Sequence, residues 1–347
     1  MHTDPELLCD TVQRNCHISD AHHAANFTLC IYLLKMREYY RWEMGYPFGL
    51  AMPKEELGSW LSEREQLWET LEEQAYTPLQ IDGHCLDPFD TEQINRALTP
   101  KGYVYSGGIG PRSTPHFFLA KLEKEIDYHG FTVLISAREC ARDLTAPPAM
   151  ALGKTIFIRR ESLRRMIWEK VQEWRWNRNE NAMGRALSYY DFDTDLNQAL
   201  DQMTESELRS VTLHEIGEVM AGEYLGETWS EMLISLPHSK VEIMCRAVRD
   251  HLADTLSTLP KLLEHKDPAS LHFYMANLSA MRRDLFPGFV EAYKIWSDSN
   301  RLDALQKVVE QGRNHWLNVA RELLEIHRRH GENCMPHLET LIHSNRL

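Results

Sequence analysis

Residues 116–122 read HFFLAKL, residues 131–135 read FTVLI and residues 155–158 read TIFI. These short runs are rich in aromatic and β-branched side chains and are separated by turn residues, a composition typical of β-strands. The series begins with YVY at 103–105. We therefore predict a small antiparallel sheet, in which residues 127–130 close a hairpin between two of its strands.

The sequence on both sides of this sheet has the hydrophobic repeat of amphipathic helices. Before the sheet, a helix that Ser19 and Asp20 would cap is predicted over 24–44, a second over 53–74, and the rest to residue 101 reads mainly as loop. After Arg160, helical patterns continue almost to the end of the chain. The predicted fold class is therefore α+β and predominantly helical. It comprises an N-terminal helical region (1–101), the small sheet region (102–160) and a larger helical domain (161–347).

The composition excludes several functional classes. The 347 residues carry a formal net charge of −13, and lysine and arginine are interspersed among acids, which disfavours a nucleic-acid partner. No apolar run is long enough to cross a bilayer, and the first twenty residues lack the pattern of a secretory signal. Seven cysteines without a C-x-x-C pair indicate reduced thiols, so a cytoplasmic protein is expected. Neither the substrate nor the oligomeric state follows from the residues.

One predicted helix carries residue types that suggest chemistry. Residues 213–218 read LHEIGE, interrupting an apolar helical pattern. Residues four apart lie on one helix face, so His214 and Glu218 can both reach one cation, while Glu215 lies beside them with a carboxylate for proton transfer. The apolar surroundings imply that these side chains are partly buried, and a buried carboxylate needs a partner or a metal.

The start of that helix is also predicted. Thr204 is followed three residues later by Glu207, which is the spacing of a capping box. We therefore expect the helix to begin at Thr204, almost three turns before His214.

The segment resembles the zincin metallohydrolases, in which a helix bearing H-E-x-x-H follows a β-rich region and a further acidic ligand lies beyond it. The resemblance covers one helix and its flanks, and it departs from the family where Glu218 replaces the second histidine. It implies a zincin-like hydrolase in which His214 and Glu218 bind the metal, Glu215 deprotonates a metal-bound water, and Glu227 or Glu231 completes the site. Zinc is the first choice of metal, although the extra carboxylate favours harder cations such as iron or manganese.

Two other interpretations remain open. Asp250, His251 and Asp254 lie within about one helical turn and, with His214, Glu218 and Glu231, could form the di-metal site of an iron or manganese oxidase or oxygenase. Against this, Arg246 and Arg249 are helical neighbours that would neutralise the two aspartates. The other possibility is a non-catalytic interaction protein, in which the acidic residues only set helix packing.

A local basic cluster is the last feature of interest. Arg159, Arg160, Arg164 and Arg165 lie together where the sheet region ends. They could bind an anionic substrate group, but a solvated or acid-paired helix start is the simpler interpretation.

Overall fold

The computed structural model describes residues 4–110 and 114–347. The chain divides into two compact units. The N-terminal unit contains the chain up to residue 170 together with 192–204, and the C-terminal unit contains 171–191 and 205–347. The first two predicted regions therefore belong to one unit. The expected fold class, α+β and predominantly helical, is confirmed.

The N-terminal unit begins with four helices, namely α1 (Pro5–His23), α2 (Leu29–Glu43), α3 (Lys54–Leu71) and α4 (Thr91–Leu98). The prediction missed α1 and wrongly used Ser19 and Asp20 as an N-cap, because both lie inside this helix. Asp4 is the actual cap, since its side chain accepts from the backbone N–H of Glu6.

The strands of this unit are β1 (Leu79–Ile81), β2 (His84–Leu86), β3 (Tyr103–Ile109), β4 (Pro115–Tyr128), β5 (Phe131–Arg142), β6 (Ala149–Leu152) and β7 (Thr155–Arg159). β1 and β2 form a separate hairpin that was predicted as loop. The larger sheet has the order β3-β4-β5-β7-β6. Its pairs are antiparallel except β5 with β7, which run parallel, so the sheet is mixed.

The predicted hairpin between β4 and β5 is confirmed. Tyr128 pairs with Phe131, and the two residues between them, His129 and Gly130, have φ angles of 52° and 85°. Positive φ at both central positions is what the two-residue turns favoured by the strand twist require. Side chains then alternate along β4, so that Phe117 packs in one apolar cluster and Phe118 in the other.

The remaining helices are α5 (Arg160–Asn177), α6 (Ala182–Leu187), α7 (Leu196–Leu225), α8 (Glu227–Ser235), α9 (Lys240–Ala253), α10 (Leu259–His265), α11 (Pro268–Asn277), α12 (Ala280–Leu285), α13 (Pro287–Ser299), α14 (Asp303–His330) and α15 (Met335–Ser344). A π-helical turn, Asp254–Thr258, joins α9 to α10. The core of the C-terminal unit is aromatic, with Phe286, Phe289 and Trp316 almost completely buried. Among the helices of the described ranges, none combines the length and apolarity needed to cross a bilayer.

The start of α7 differs from the prediction. The helix begins at Leu196, where the side chain of Asp195 accepts from the backbone N–H of Gln198. Thr204 is a helix-interior residue whose hydroxyl donates to the Leu200 carbonyl at 2.6 Å. The threonine–glutamate spacing of a capping box also occurs by chance inside helices, and here an aspartate nine residues earlier caps the helix.

Candidate functional site

The histidine of the LHEIGE segment is held by an aspartate from another helix turn. His214 lies on α7, and its Nδ1 is 2.9 Å from Oδ1 of Asp254, the first residue of the π-helical turn. Gly217 permits this approach, because a Cβ at that position would lie only 2.4 Å from the carbonyl oxygen of Ala253. The Asp254 side chain is completely buried, whereas the His214 side chain is 38% exposed. The imidazole is therefore held by Asp254 at Nδ1, while part of the ring is accessible to solvent.

Three further donors saturate Asp254. The Tyr274 hydroxyl donates to Oδ2 at 2.6 Å, the Thr258 hydroxyl donates to Oδ1 at 3.0 Å, and the Arg282 guanidinium forms an ion pair with Oδ2. Burial opposes ionisation, but Arg282 and His214 hold the pKa of Asp254 well below its usual range. Burial also disfavours a charged imidazole, yet Asp254 raises the pKa of His214 to about 9. His214 is accordingly an imidazolium at neutral pH.

Glu218, the predicted second ligand, is paired with an arginine. Its Oε2 lies 2.8 Å from Nη1 of Arg249, and Nη2 of the same arginine donates to the Glu218 backbone carbonyl at 3.3 Å. The buried Oε1 of Glu218 and the buried Nε of Arg249 have no partner among the described residues. His214 and Glu218 thus share a helix face, as predicted, but each is bound to a different neighbour.

Two carboxyl groups at this site lack such partners. Within the described ranges, the side-chain carboxyl groups of Glu215 on α7 and Asp250 on α9 form no hydrogen bond or ion pair, and both residues are only partly exposed. Burial raises the pKa of Glu215 to about 7, and the neighbouring charge of Glu218 acts in the same direction. Burial likewise raises the pKa of Asp250 to about 6. Both groups therefore exchange protons near neutral pH.

These donors do not fit the predicted three-ligand metal centre. No group of three or more His, Cys, Asp or Glu side chains arranged to hold a metal ion occurs in residues 4–110 and 114–347. Glu227 and Glu231 are exposed residues of α8, and the Arg249 charge already neutralises Glu218. The zincin-like assignment stays a prediction that no comparison tests.

His251, a residue of the di-metal alternative, is engaged elsewhere, as are His214, Glu218 and Asp254. His251 is buried, its Nε2 donates to the Arg282 carbonyl at 2.9 Å, and its ring stacks on Trp316 at 4.9 Å between centroids. Burial and the Arg282 charge lower the pKa of His251 to about 3. Arg246 pairs with Glu242 at 2.7 Å, so neither Arg246 nor Arg249 neutralises the aspartates as predicted.

Two members of the site were missed from the sequence. Tyr274 on α11 and Arg282 on α12 bind Asp254 across 20 and 28 residues of chain. Neither belongs to a local motif, because the contact depends on how three helices pack. The basic cluster Arg159–Arg165 is acid-paired, as the simpler interpretation predicts, through salt bridges to Glu139, Glu123, Asp201 and Glu169.

Comparison with known proteins places the chain in a family. Residues 7–159 match the N-terminal domain, and residues 164–345 the C-terminal domain, of a family of unknown function (DUF6866). The two matches cover most of the chain, which therefore belongs to this family. No curated protein and no solved structure matches it.

Proposed function

We propose that the chain is an enzyme of the hydrolase class, with Glu215 as the general base and the His214 imidazolium as the general acid. One observation carries the proposal: an unbonded, partly buried carboxyl group lies beside an imidazole that a buried aspartate fixes in place. Environments that separate the pKa values of two neighbouring groups are what acid–base catalysis requires.

The geometry suggests how the step proceeds. Glu215 accepts a proton from a water molecule, whose oxygen then adds to the carbonyl carbon of an ester or amide. The accessible side of the His214 ring donates its proton to the leaving group as the bond between that group and the carbonyl carbon breaks. Asp254 stays ionised throughout, because Arg282 and the Tyr274 hydroxyl stabilise its charge.

A metal-dependent hydrolase is the second candidate. It is favoured by the buried Oε1 of Glu218, which has no partner among the described residues, and by the accessible imidazole of His214. These two groups are the donors that would bind zinc, or else iron or manganese, Glu215 would act as the base, and a bound metal would supply an activated water. Glu218 would first have to leave Arg249. For either candidate we propose a cytoplasmic location, supported by seven free thiols.

The test measures hydrolysis of a panel of p-nitrophenyl esters and aminoacyl p-nitroanilides by the full chain, with and without 1,10-phenanthroline. We expect activity that survives chelation and that falls by roughly 100-fold or more in E215Q and in H214Q. E231Q is the matched control, because Glu231 is an exposed glutamate on α8 and its loss leaves this chemistry intact.

Other outcomes separate the candidates. If activity is lost on chelation, and elemental analysis finds one metal per chain that H214A lacks, the metal-dependent candidate replaces the proposal. Two transition-metal ions per chain with oxygen consumption would indicate the di-metal oxidase. Absence of hydrolysis across the whole panel, or equal rates in E215Q and the parent, would contradict the proposed function.

A further inference from the structure

The N-terminal unit contains a pocket whose wall is strongly basic. Its cavity has a volume of about 420 Å³, which is the size range of small-molecule sites. Six arginines line it, namely Arg41, Arg138, Arg142, Arg160, Arg164 and Arg165, together with two glutamates, Glu38 and Glu161. Four of these arginines, Arg41, Arg160, Arg164 and Arg165, form ion pairs with acids, so among the described residues of this wall only Arg138 and Arg142 lack one.

The two glutamates in the wall are already engaged. Glu38 is buried and accepts from Nε of Arg37 at 2.8 Å and from Nε of Arg41 at 3.0 Å. Glu161 accepts from the backbone N–H of Glu139 at 2.8 Å and from the indole of Trp42. Neither carboxylate therefore forms an ion pair with Arg138 or Arg142.

Arg142 forms no ion pair within residues 4–110 and 114–347. It is only 1% exposed, its Nε donates to the Asp143 backbone carbonyl at 3.3 Å, and its Nη2 has no partner among the described residues. Arg165 differs, because its Nη1 pairs with Glu169 at 2.6 Å and its Nη2 donates to the Ala146 carbonyl at 2.7 Å, so that only its buried Nε lacks a partner among the described residues. Burial and the nearby charge of Arg165 lower the pKa of Arg142 to about 10. Within the described residues, Arg142 is thus a buried guanidinium without an ion pair.

We infer that this pocket binds an organic phosphate monoester about the size of a mononucleotide, with its phosphate at Arg142 and Arg165. A phosphate in the cavity would supply the negative charge that Arg142 lacks, and guanidinium groups bind phosphate with two parallel hydrogen bonds. Trp42 and Phe48 in the same wall offer aromatic surface for the rest of the ligand. This inference is independent of the acid–base site.

The test titrates the full chain with AMP, adenosine and inorganic phosphate by isothermal calorimetry at constant ionic strength. We expect AMP to bind, phosphate to bind more weakly and to compete with AMP, and adenosine not to bind measurably. R142M is expected to weaken AMP binding by roughly tenfold or more, because it removes a charge-assisted contact. R96Q is the control, since Arg96 is an exposed arginine on α4 outside this pocket.

Stability provides a second readout. A buried cation without a counter-ion destabilises the free protein, so R142M is expected to melt at the same temperature or higher than the parent, while losing the shift that AMP produces. If R142M does not fold, R138Q takes its place, because Arg138 is exposed at the pocket and its loss does not disturb the core. Absence of AMP and phosphate binding to the parent chain, or equal binding to the substituted chain, would overturn the inference.

Discussion

Two glutamates, one in each unit, have lost much of their contact with water and behave in opposite ways. Glu139 in the N-terminal unit is 2% exposed and receives Nε and Nη2 of Arg159 at 3.1 and 2.7 Å and the Ser162 hydroxyl at 2.6 Å. Burial opposes its charge, but Arg159 still lowers the pKa of Glu139. Glu215 in the C-terminal unit has no such donors in the described ranges, and burial raises its pKa to about 7. The ion pair keeps Glu139 ionised, whereas Glu215, which has no such pair, can gain or lose a proton near neutral pH.

The difference has a structural cause. Arg159 ends β7, which pairs in parallel with β5 and places Arg159 opposite Ser136, three residues before Glu139 on the same strand. Around Glu215 the available cations are committed, because Arg249 binds Glu218 and Arg282 binds Asp254. One carboxyl is thus part of the framework, and the other is available for chemistry.

Breaking the paired site should have the largest effect. R159M leaves Glu139 charged and buried without a counter-ion, and we expect the free energy of unfolding at pH 7 to fall by about 3–5 kcal/mol. Urea unfolding followed by tryptophan fluorescence measures this. The double variant E139Q/R159M should recover most of the loss, because it removes both charges. A loss below about 1 kcal/mol in R159M would contradict a framework role.

Removing the aspartate at the centre of the other site should have an intermediate effect. D254N keeps the shape but deprives Arg282 of its counter-ion, and we expect a loss of about 2–3 kcal/mol. The same change should return the pKa of His214 from about 9 towards its usual 6.5, which NMR titration of the ring protons measures. In the parent chain the His214 contribution is fully present below pH 6.5 and declines as the pH rises through about 9. An unchanged His214 titration in D254N would refute the pairing.

The unpaired carboxyl should give the smallest change, and one of opposite sign. Unfolded Glu215 ionises near its ordinary pKa of 4.5, while the folded chain keeps the proton until about pH 7, so this group lowers stability as the pH rises between these values. E215Q removes that decline, and we expect a gain of roughly 1–2 kcal/mol at pH 8 with none at pH 4. Urea unfolding across this range measures it, with E231Q as control. Parallel stability curves for E215Q and the parent would mean that Glu215 is not buried as described.

Much of the fold follows from local sequence. The alternating aromatic and β-branched residues of β4, β5 and β7 predict strands, and the His129-Gly130 turn follows from their spacing. The helix α1 could not be predicted in this way, because buried polar residues such as Asn15 and Asp20 obscure its apolar repeat. The β1–β2 hairpin had a readable signal in Asp82-Gly83, which has the positive φ angles of a two-residue turn.

The candidate site was only half predictable. The spacing of His214, Glu215 and Glu218 places them together on a helix whatever the rest of the chain does. Their partners come from distant parts of the chain. Arg249 lies 31 residues from Glu218, and Asp254 lies 40 residues from His214. Which donor reaches which carboxylate is decided by helix packing, and a single sequence carries no local signal for that choice.

The π-helical turn gives the C-terminal unit a particular vulnerability. Five residues, Asp254–Thr258, adopt the wider winding that results when a helix accommodates one residue more than its regular repeat. Deleting a single residue here would let the chain rewind as an ordinary helix and carry Asp254 around the axis, out of reach of its four donors. Shortening the chain by one residue, with every charged side chain kept, would be enough to break the contacts that hold Asp254 in place.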